Sequence, residues 1–324
     1  MTIFRFGYVA MSMHLQNASP SKTMTFKRFS SIADREAAIR KLEKITKANL
    51  HNCLRLLRHN AIHDIHFFRF SSRLIPLANH PELPDWNYKE VLKEALLPIR
   101  SFLREHSEMR VDFHPDHFVL LNTKDKQVFQ VSLETLQMHY LLLKGMGINP
   151  KHRCVLHVGG SYDDKEQALE QFIHNWSLIP VRLQEMVILE NDDKVFTVKD
   201  TLYLCEKLGI PLVFDYHHHL ANREEKDDLK EEWKRIVETW KRNSELPIKM
   251  HISSPKNEKD FRAHSDIIDL EMFWEFIEAV NGSVNQIDVM IEAKWKDKAL
   301  FLLINEIKEK KKVQWINETS FRLV

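Results

Sequence analysis

A single-domain (β/α)8 barrel is the architecture this chain predicts, and three observations predict it. Short β-rich runs alternate with longer stretches of helical spacing, the alternation repeats eight times, and no Ser/Gly/Pro-rich linker interrupts the 324 residues. The expected strands are 3–9, 65–70, 110–113, 154–158, 186–189, 211–215, 248–252 and 286–291. The expected helices follow at 34–58, 88–106, 133–146, 164–178, 198–208, 227–242, 270–280 and 297–310. In the first helix Ile39, Leu42, Ile45, Leu50, Leu54 and Leu57 recur at intervals that place them on one face. Asp34, Asp85 and Asp164 precede their helices as expected N-caps, because a short carboxylate accepts from the free N–H groups of a first turn. The barrel is expected over 1–312. Residues 313–324 read as an extended C-terminal extension that either packs back or docks elsewhere. Segment 15–33 is polar and too long for an ordinary βα connection, so it is expected on the active face as a binding loop or flap.

Composition narrows the function. With 7 glycines there is little room for a phosphate-cradling loop, and neither G-x-G-x-x-G nor G-x-x-x-x-G-K-[ST] occurs. Cys53, Cys154 and Cys205 are isolated and odd in number, which argues against a disulfide framework or a cysteine zinc site and for a reducing cytoplasm. No apolar run is long enough for a membrane span, and no signal peptide is legible. The net charge of +1 hides an asymmetry: residues 1–60 hold 11 Lys/Arg against 3 acids, a net of +8, and the other 264 residues carry −7. A basic region beside an acidic body suits a polyanion, and a solvated helix face accounts equally for the charge alone.

Barrel chemistry gathers at the C-terminal ends of the strands. There the chain places Asp112-Phe113-His114, His157-Val158-Gly159-Gly160, Glu190-Asn191, Asp215 with His217-His218-His219, Lys249-x-His251, and Glu292-Ala293-Lys294. Any one of these has a structural explanation as a cap or a hydrogen-bonded core residue. Together, carboxylates and imidazoles converging without thiolates predict a multinuclear site for Mn2+, Zn2+, Fe or Mg2+, with Glu190 suited to bridge ions. Asp215-x-x-His218 turns both groups toward one ion, and His264 follows the seventh strand as a further ligand. Lys249 shares a face with His251 by strand alternation, an odd place for a cation unless it meets phosphate or is modified.

Joined in order, the blocks resemble the UV-damage endonucleases. The earlier ones are Phe6-Gly7-Tyr8, Asn49-Leu50-x-Asn52-Cys53-x-x-Leu56-Leu57-x-His59-Asn60, Phe68-Arg69-Phe70-Ser71-Ser72 with Pro76 and His80, and Phe113-His114-Pro115. The strand-end blocks listed above complete them, so the likeness covers residues 3 to 300 or so. The resemblance implies a barrel with up to three divalent ions, typically Mn2+, that nicks damaged double-stranded DNA immediately 5′ of pyrimidine dimers and 6-4 photoproducts, leaving 3′-hydroxyl and 5′-phosphate. It implies His114, His157, Glu190, Asp215, His218, His251, His264 and Glu292 as metal ligands. Glu190, Lys249 and His80 become catalytic, with Lys249 matching a lysine that carries CO2. Tyr8, His117 and Phe118 become the lesion-facing residues. A monomer acting in the cytoplasm on nucleoid DNA is expected. One departure stands out: many members carry Gly-Gln followed by Tyr or Phe after His-Pro, where this chain has Asp116-His117-Phe118. An abasic-site endonuclease, a metal-dependent sugar isomerase and a non-catalytic DNA-binding barrel are the competing readings.

Overall fold

The computed structural model describes residues 1–162 and 164–323. Seven strands and their helices alternate along most of the chain: β1 (Ile3–Val9), β2 (Phe67–Arg69), β3 (Arg110–Asp112), β4 (Cys154–His157), β5 (Val187–Glu190), β6 (Leu212–Asp215) and β7 (Ile248–Ile252). A hairpin of β8 (Pro255–Asn257) and β9 (Asp260–His264) intervenes before the eighth barrel strand, β10 (Gln286–Ile291). All barrel pairings are parallel, β10 joins β1, and a single Phe113–Cys154 bridge links β3 to β4, leaving the barrel nearly closed.

The helical layer differs from expectation in identifiable ways. α1 (Phe26–Ser30) lies inside the segment read as a flap, and α2 runs over Arg35–Ile62 behind an N-cap at Asp34, whose carboxylate accepts from Ala37 N. The second helical region breaks into α3 (Tyr88–Ala95) and α4 (Leu97–Glu105), with Pro98 in the first turn of the latter, where its missing N–H costs nothing. Asp85 is no cap: Asn87 occupies that position, and Asp85 pairs with Arg35 at 2.6 Å. α5 (Lys126–Gly145) begins seven residues before the expected 133, because Asp125 accepts from Gln127 N and Val128 N and draws a polar stretch into the first turns. α6 (Lys165–Trp176), capped by Asp164 as expected, and α7 (Val181–Gln184) precede β5. α8 (Val198–Leu208) leads into β6, and α9 (Tyr216–Asn222) follows β6 without a loop and was not anticipated. α10 (Leu229–Asn243), α11 (Leu270–Val280) and α12 (Lys296–Lys310) complete the ring.

The extension packs back. β11 (Val313–Asn317) and β12 (Ser320–Leu323) form a hairpin whose second strand pairs antiparallel with β1. Phe321 packs against Phe4 and Phe6 at centroid distances of 5.8 and 5.7 Å.

Segment 15–33 is docked rather than free. Along one face of α2, Asn49 bonds the Lys22 carbonyl (2.9 Å), Asn52 the Ser19 carbonyl (2.9 Å), and Arg55 the carbonyls of Asn17 (2.9 Å) and Gln16 (3.0 Å). These side chains recur every third residue, so one helix face reads out the backbone of the segment.

Candidate metal centre at the barrel mouth

Register builds the site in layers. Parallel pairing sets His157 of β4 beside Glu190 of β5, and Asp215 of β6 beside His251 of β7. Two residues lower, Lys249 of β7 and Arg5 of β1 flank Asp288 of β10, while Arg69, at the end of β2 beside Asp112 of β3, reaches Glu292 in the mouth. Period-two alternation therefore separates a charged floor from a mouth.

Glu190 is the hub of the mouth. Its Oε2 lies 2.9 Å from His114 Nε2, and its Oε1 lies 2.8 Å from His251 Nδ1. His157 Nε2 stands 3.7 Å from Oε2, and His218 Nδ1 3.6 Å from Oε1. His251 Nδ1 also lies 3.0 Å from Glu292 Oε1, and His218 Nδ1 lies 3.7 Å from Asp215 Oδ2. Three overlapping triads result, each able to hold an ion and all sharing Glu190: with His114 and His157, with Asp215 and His218, and with His251 and Glu292. Within each, the ligand atoms lie within 4.8 Å of one another. Seven of the eight expected ligands thus converge. The eighth, His264, is held on the β8–β9 hairpin by the Glu292 carbonyl at 2.9 Å, with its ring 6.1 Å from that of His218.

The donors fit a divalent ion. Among the described residues, Asp215 Oδ2, which faces His218 Nδ1, is a buried polar atom without a hydrogen-bond partner, a costly condition unless something else completes it. Burial pushes the Glu190 carboxyl up, but the His251, His157 and His114 rings outweigh it and hold the group well below the usual carboxylate range. His114 is pushed down to about 4, chiefly by burial, which keeps it a neutral donor. Burial also lowers His218, yet Asp215, Glu190 and Glu292 raise it to about 9: three anions there call for positive charge. Mixed imidazole and carboxylate donors suit Mn, Zn or Fe.

Around this hub the loops are locked. Asn191 bonds both the carbonyl and the amide of Asp215, at 3.0 and 2.9 Å, fixing β5 against β6. His217 bridges Ser253 Oγ (2.6 Å) and the Phe261 carbonyl (2.7 Å), tying α9 to the hairpin. Gly159 has φ +122°, and a Cβ there would sit 2.2 Å from Asn122 Oδ1, while Asn122 holds the Gly160 carbonyl at 2.6 Å. A cavity of about 430 Å3 opens beside the hub, lined by His114, His117, His157, Gly159, Lys194 and His218.

The remaining expected residues are scattered. Lys249 is fully buried on the floor, with Nζ 3.2 Å from Asp112 Oδ2; burial pushes its amine down to about 8. His80 stands outside the three triads, stacked on Phe26 at 4.3 Å. Tyr8 requires correction as a lesion-facing residue: it is wholly buried, points from β1 toward α2, and donates to Asn60 Oδ1 at 2.6 Å. Alternation sends it into the helical layer, because Arg5 and Gly7 take the inward face. Phe118 is 70% exposed, with the His117 ring 4.1 Å away. Asp116 is fastened by Ser72 and Arg73, each at 3.1 Å. Sequence reasoning missed Arg69, which pairs with Glu292; the signal was its place at the end of β2, the strand end that was passed over.

Fold and cluster together define a (β/α)8 protein with a cluster of side chains able to hold metal at the C-terminal ends of its strands. The model of the UV-endonuclease UvdE family matches residues 4–322, and the chain belongs to that family. It is 51% identical over 317 residues to the UV DNA damage endonuclease of Halalkalibacterium halodurans, covering 98% of each chain. To that of Bacillus cereus it is 40% identical over 305 residues, 94% of this chain and 95% of the relative. The crystal structure of SacUVDE superposes with a TM-score of 0.80 at 33% identity, over 94% of this chain and 98% of the other. Endonuclease IV from Thermus thermophilus, at 10% identity and TM-score 0.54, shares the fold alone. The protein is thus a DNA repair endonuclease by family, and none of its described helices is long and apolar enough to cross a membrane.

Proposed function

We propose that this protein nicks the DNA backbone immediately 5′ of UV photoproducts, leaving a 3′-hydroxyl and a 5′-phosphate, in a reaction that depends on divalent ions. The observation that carries the reading is the Glu190 hub, where three ligand triads overlap in a member of the UvdE family. Up to three ions, Mn2+ foremost, would be held by His114, His157, Glu190, Asp215, His218, His251 and Glu292, with His264 completing the set. Bound there, they supply charge neutralisation of the scissile phosphate and lower the pKa of a water.

The chain's own residues do the rest. Arg69 neutralises Glu292 and orients it. Asn191 fixes Asp215, and the neutral His114 keeps a lone pair free for ligation. Phe118, exposed beside His117, enters the duplex as an apolar wedge where a photoproduct is already poorly stacked. Asp116 holds that loop through Ser72 and Arg73 in place of a flexible glycine. Lys22, Lys27 and Arg28, all exposed, take phosphates, and His80 acts from this DNA side rather than as a ligand. Lys249 is the group for CO2: its lowered pKa enlarges the neutral amine fraction that carboxylation needs, and the product would turn a cation beneath His251 into an anion.

The test is a nicking assay on end-labelled duplexes bearing one cyclobutane dimer, one abasic site or no damage, with Mn2+ or EDTA. A metal-dependent cut 5′ of the dimer is expected. Inactivity on all three duplexes with Mn2+ present overturns the reading, and a cut confined to the abasic duplex transfers it to that lesion.

A further inference from the structure

A second constellation of ligand-type side chains lies outside the Glu190 hub. His14, from the docked segment after β1, His59 of α2 and Asp297 of the first turn of α12 bring their ligand atoms within 4.8 Å of one another. The three come from elements far apart in sequence, so nothing local forces them together. Asp297 is completely buried, the His59 side chain is 10% exposed, and the His14 side chain is 48% exposed, which gives the cluster a dry base and a wet rim.

Its geometry is tight. Asp297 Oδ2 is 3.1 Å from His14 Nδ1 and 3.2 Å from His59 Nε2, and Ser12 Oγ contacts the same oxygen. One carboxylate oxygen has two in-plane lone pairs, so three donors exceed what it can serve well by hydrogen bonding. Zinc–ligand bonds of about 2.0–2.1 Å in a tetrahedron put neighbouring ligand atoms roughly 3.4 Å apart, close to both measured N···O distances. The other oxygen, Oδ1, is occupied by Met13 N (2.7 Å) and Lys298 N (3.0 Å), which fixes the carboxylate plane with Oδ2 toward the rings. The His14 and His59 rings lie 6.3 Å apart, close enough for one nitrogen of each to approach a shared point beside Asp297 Oδ2. Two imidazoles and one carboxylate leave a fourth position for the Ser12 hydroxyl or water at the exposed rim.

We propose that His14, His59 and Asp297 form a second divalent transition-metal site, of the zinc class, that clamps the segment after β1 onto α2 and α12. The bonds from Asn49, Asn52 and Arg55 hold residues 16–22 of that segment through backbone carbonyls; the ion fixes residues 12–14, which those bonds do not reach.

Chelator-treated wild-type protein, His14→Ala, His59→Ala and Glu190→Gln are each loaded with Zn2+, desalted and assayed for bound metal. His14 is half-exposed, so its truncation leaves the fold intact, and circular dichroism verifies this. Wild type is expected to hold one zinc equivalent more than either histidine variant, and Glu190→Gln is expected to retain that equivalent. Hydrogen exchange on the Glu190→Gln protein is expected to slow at least tenfold at residues 12–15 when Zn2+ is added, and not after His14→Ala is introduced. Equal stoichiometry in wild type and His14→Ala overturns the proposal, as does zinc-dependent protection that survives His14→Ala. Because the readout is a difference at His14, it stands whether or not the barrel mouth takes metal.

Discussion

The floor and the mouth of this barrel are both rich in buried charge, and they are completed differently. On the floor Arg5 grips Asp288 through two bonds, at 2.8 and 2.7 Å. Arg110 joins Asp288 at 3.0 Å and Asp112 at 3.2 Å, and Arg153 and Lys249 approach Asp112 at 3.5 and 3.2 Å. Burial pushes both carboxyls up, but these cations outweigh it and hold them below the usual range. Two carboxylates face three arginines and the uncarboxylated Lys249 amine, so charge is matched within the chain even though, among the described residues, Arg110 Nη2, Asp112 Oδ1 and Lys249 Nζ lack hydrogen-bond partners. In the mouth, Glu190, Asp215 and Glu292 face one arginine, Arg69, and otherwise histidines, and Asp215 Oδ2 has no hydrogen-bond partner among the described residues. Buried charge that the chain neutralises itself is architecture; buried charge left incomplete, at the end of a barrel where strands converge, is what the proposed ions would complete.

Substitutions that separate activity from stability break or sharpen this contrast. Glu190→Gln removes the shared ligand of all three triads and should lower nicking by about 10²–10³-fold or more, measured as single-turnover cleavage of a dimer duplex. Asp288→Ala should do the opposite. By leaving Arg5 without a carboxylate and Arg110 with Asp112 alone, it should cost about 3–5 kcal/mol in denaturant unfolding, with metal stoichiometry unchanged in the surviving fold. Asp215→Asn keeps the N-cap to His218 N but removes the charge that does most to raise His218, so metal-free stability should fall at neutral pH while activity collapses.

A pH experiment sharpens the comparison further. His218 is raised to about 9 in the fold, so without metal it stabilises fully below its unfolded value of about 6.5 and loses that contribution as pH rises toward 9. The Tm advantage of EDTA-treated wild type over His218→Asn should therefore shrink from pH 6.5 to 8. With Mn2+ the sign should invert, because a ligating imidazole must shed its proton. A fall with pH that persists in Mn2+ would break the account. The smallest effect expected on stability is that of Phe118→Ala, under about 0.5 kcal/mol for an exposed ring. Its preference for dimer over undamaged duplex should nonetheless fall about tenfold, the worth of one stacking contact.

Much of this was legible in the chain. Eight alternating units foretold the barrel, and the strand-end residues foretold seven converging side chains of ligand type, because register in a parallel barrel leaves strand ends no other place to go. The docked segment was not legible: its partners on α2 recognise backbone carbonyls, which carry no sequence signature. Tyr8 was misassigned because an aromatic residue near a strand end can face the mouth or the helices, and only the inward pairing of Arg5 decides. Asp85 read as a cap because capping and surface ion pairing ask for the same side chain. Arg69, quoted only inside a sequence block, was given no role because a lone arginine beside phenylalanines looks like any solvated strand edge until Glu292, 223 residues away, is placed against it.

The most direct test of the central claim is anomalous diffraction at the manganese edge from crystals grown with Mn2+. We expect peaks within ligation distance of Glu190, shared with His114 and His157, with Asp215 and His218, and with His251 and Glu292. A mouth that stays free of anomalous density at saturating Mn2+, with those side chains bonded only to one another, would contradict it.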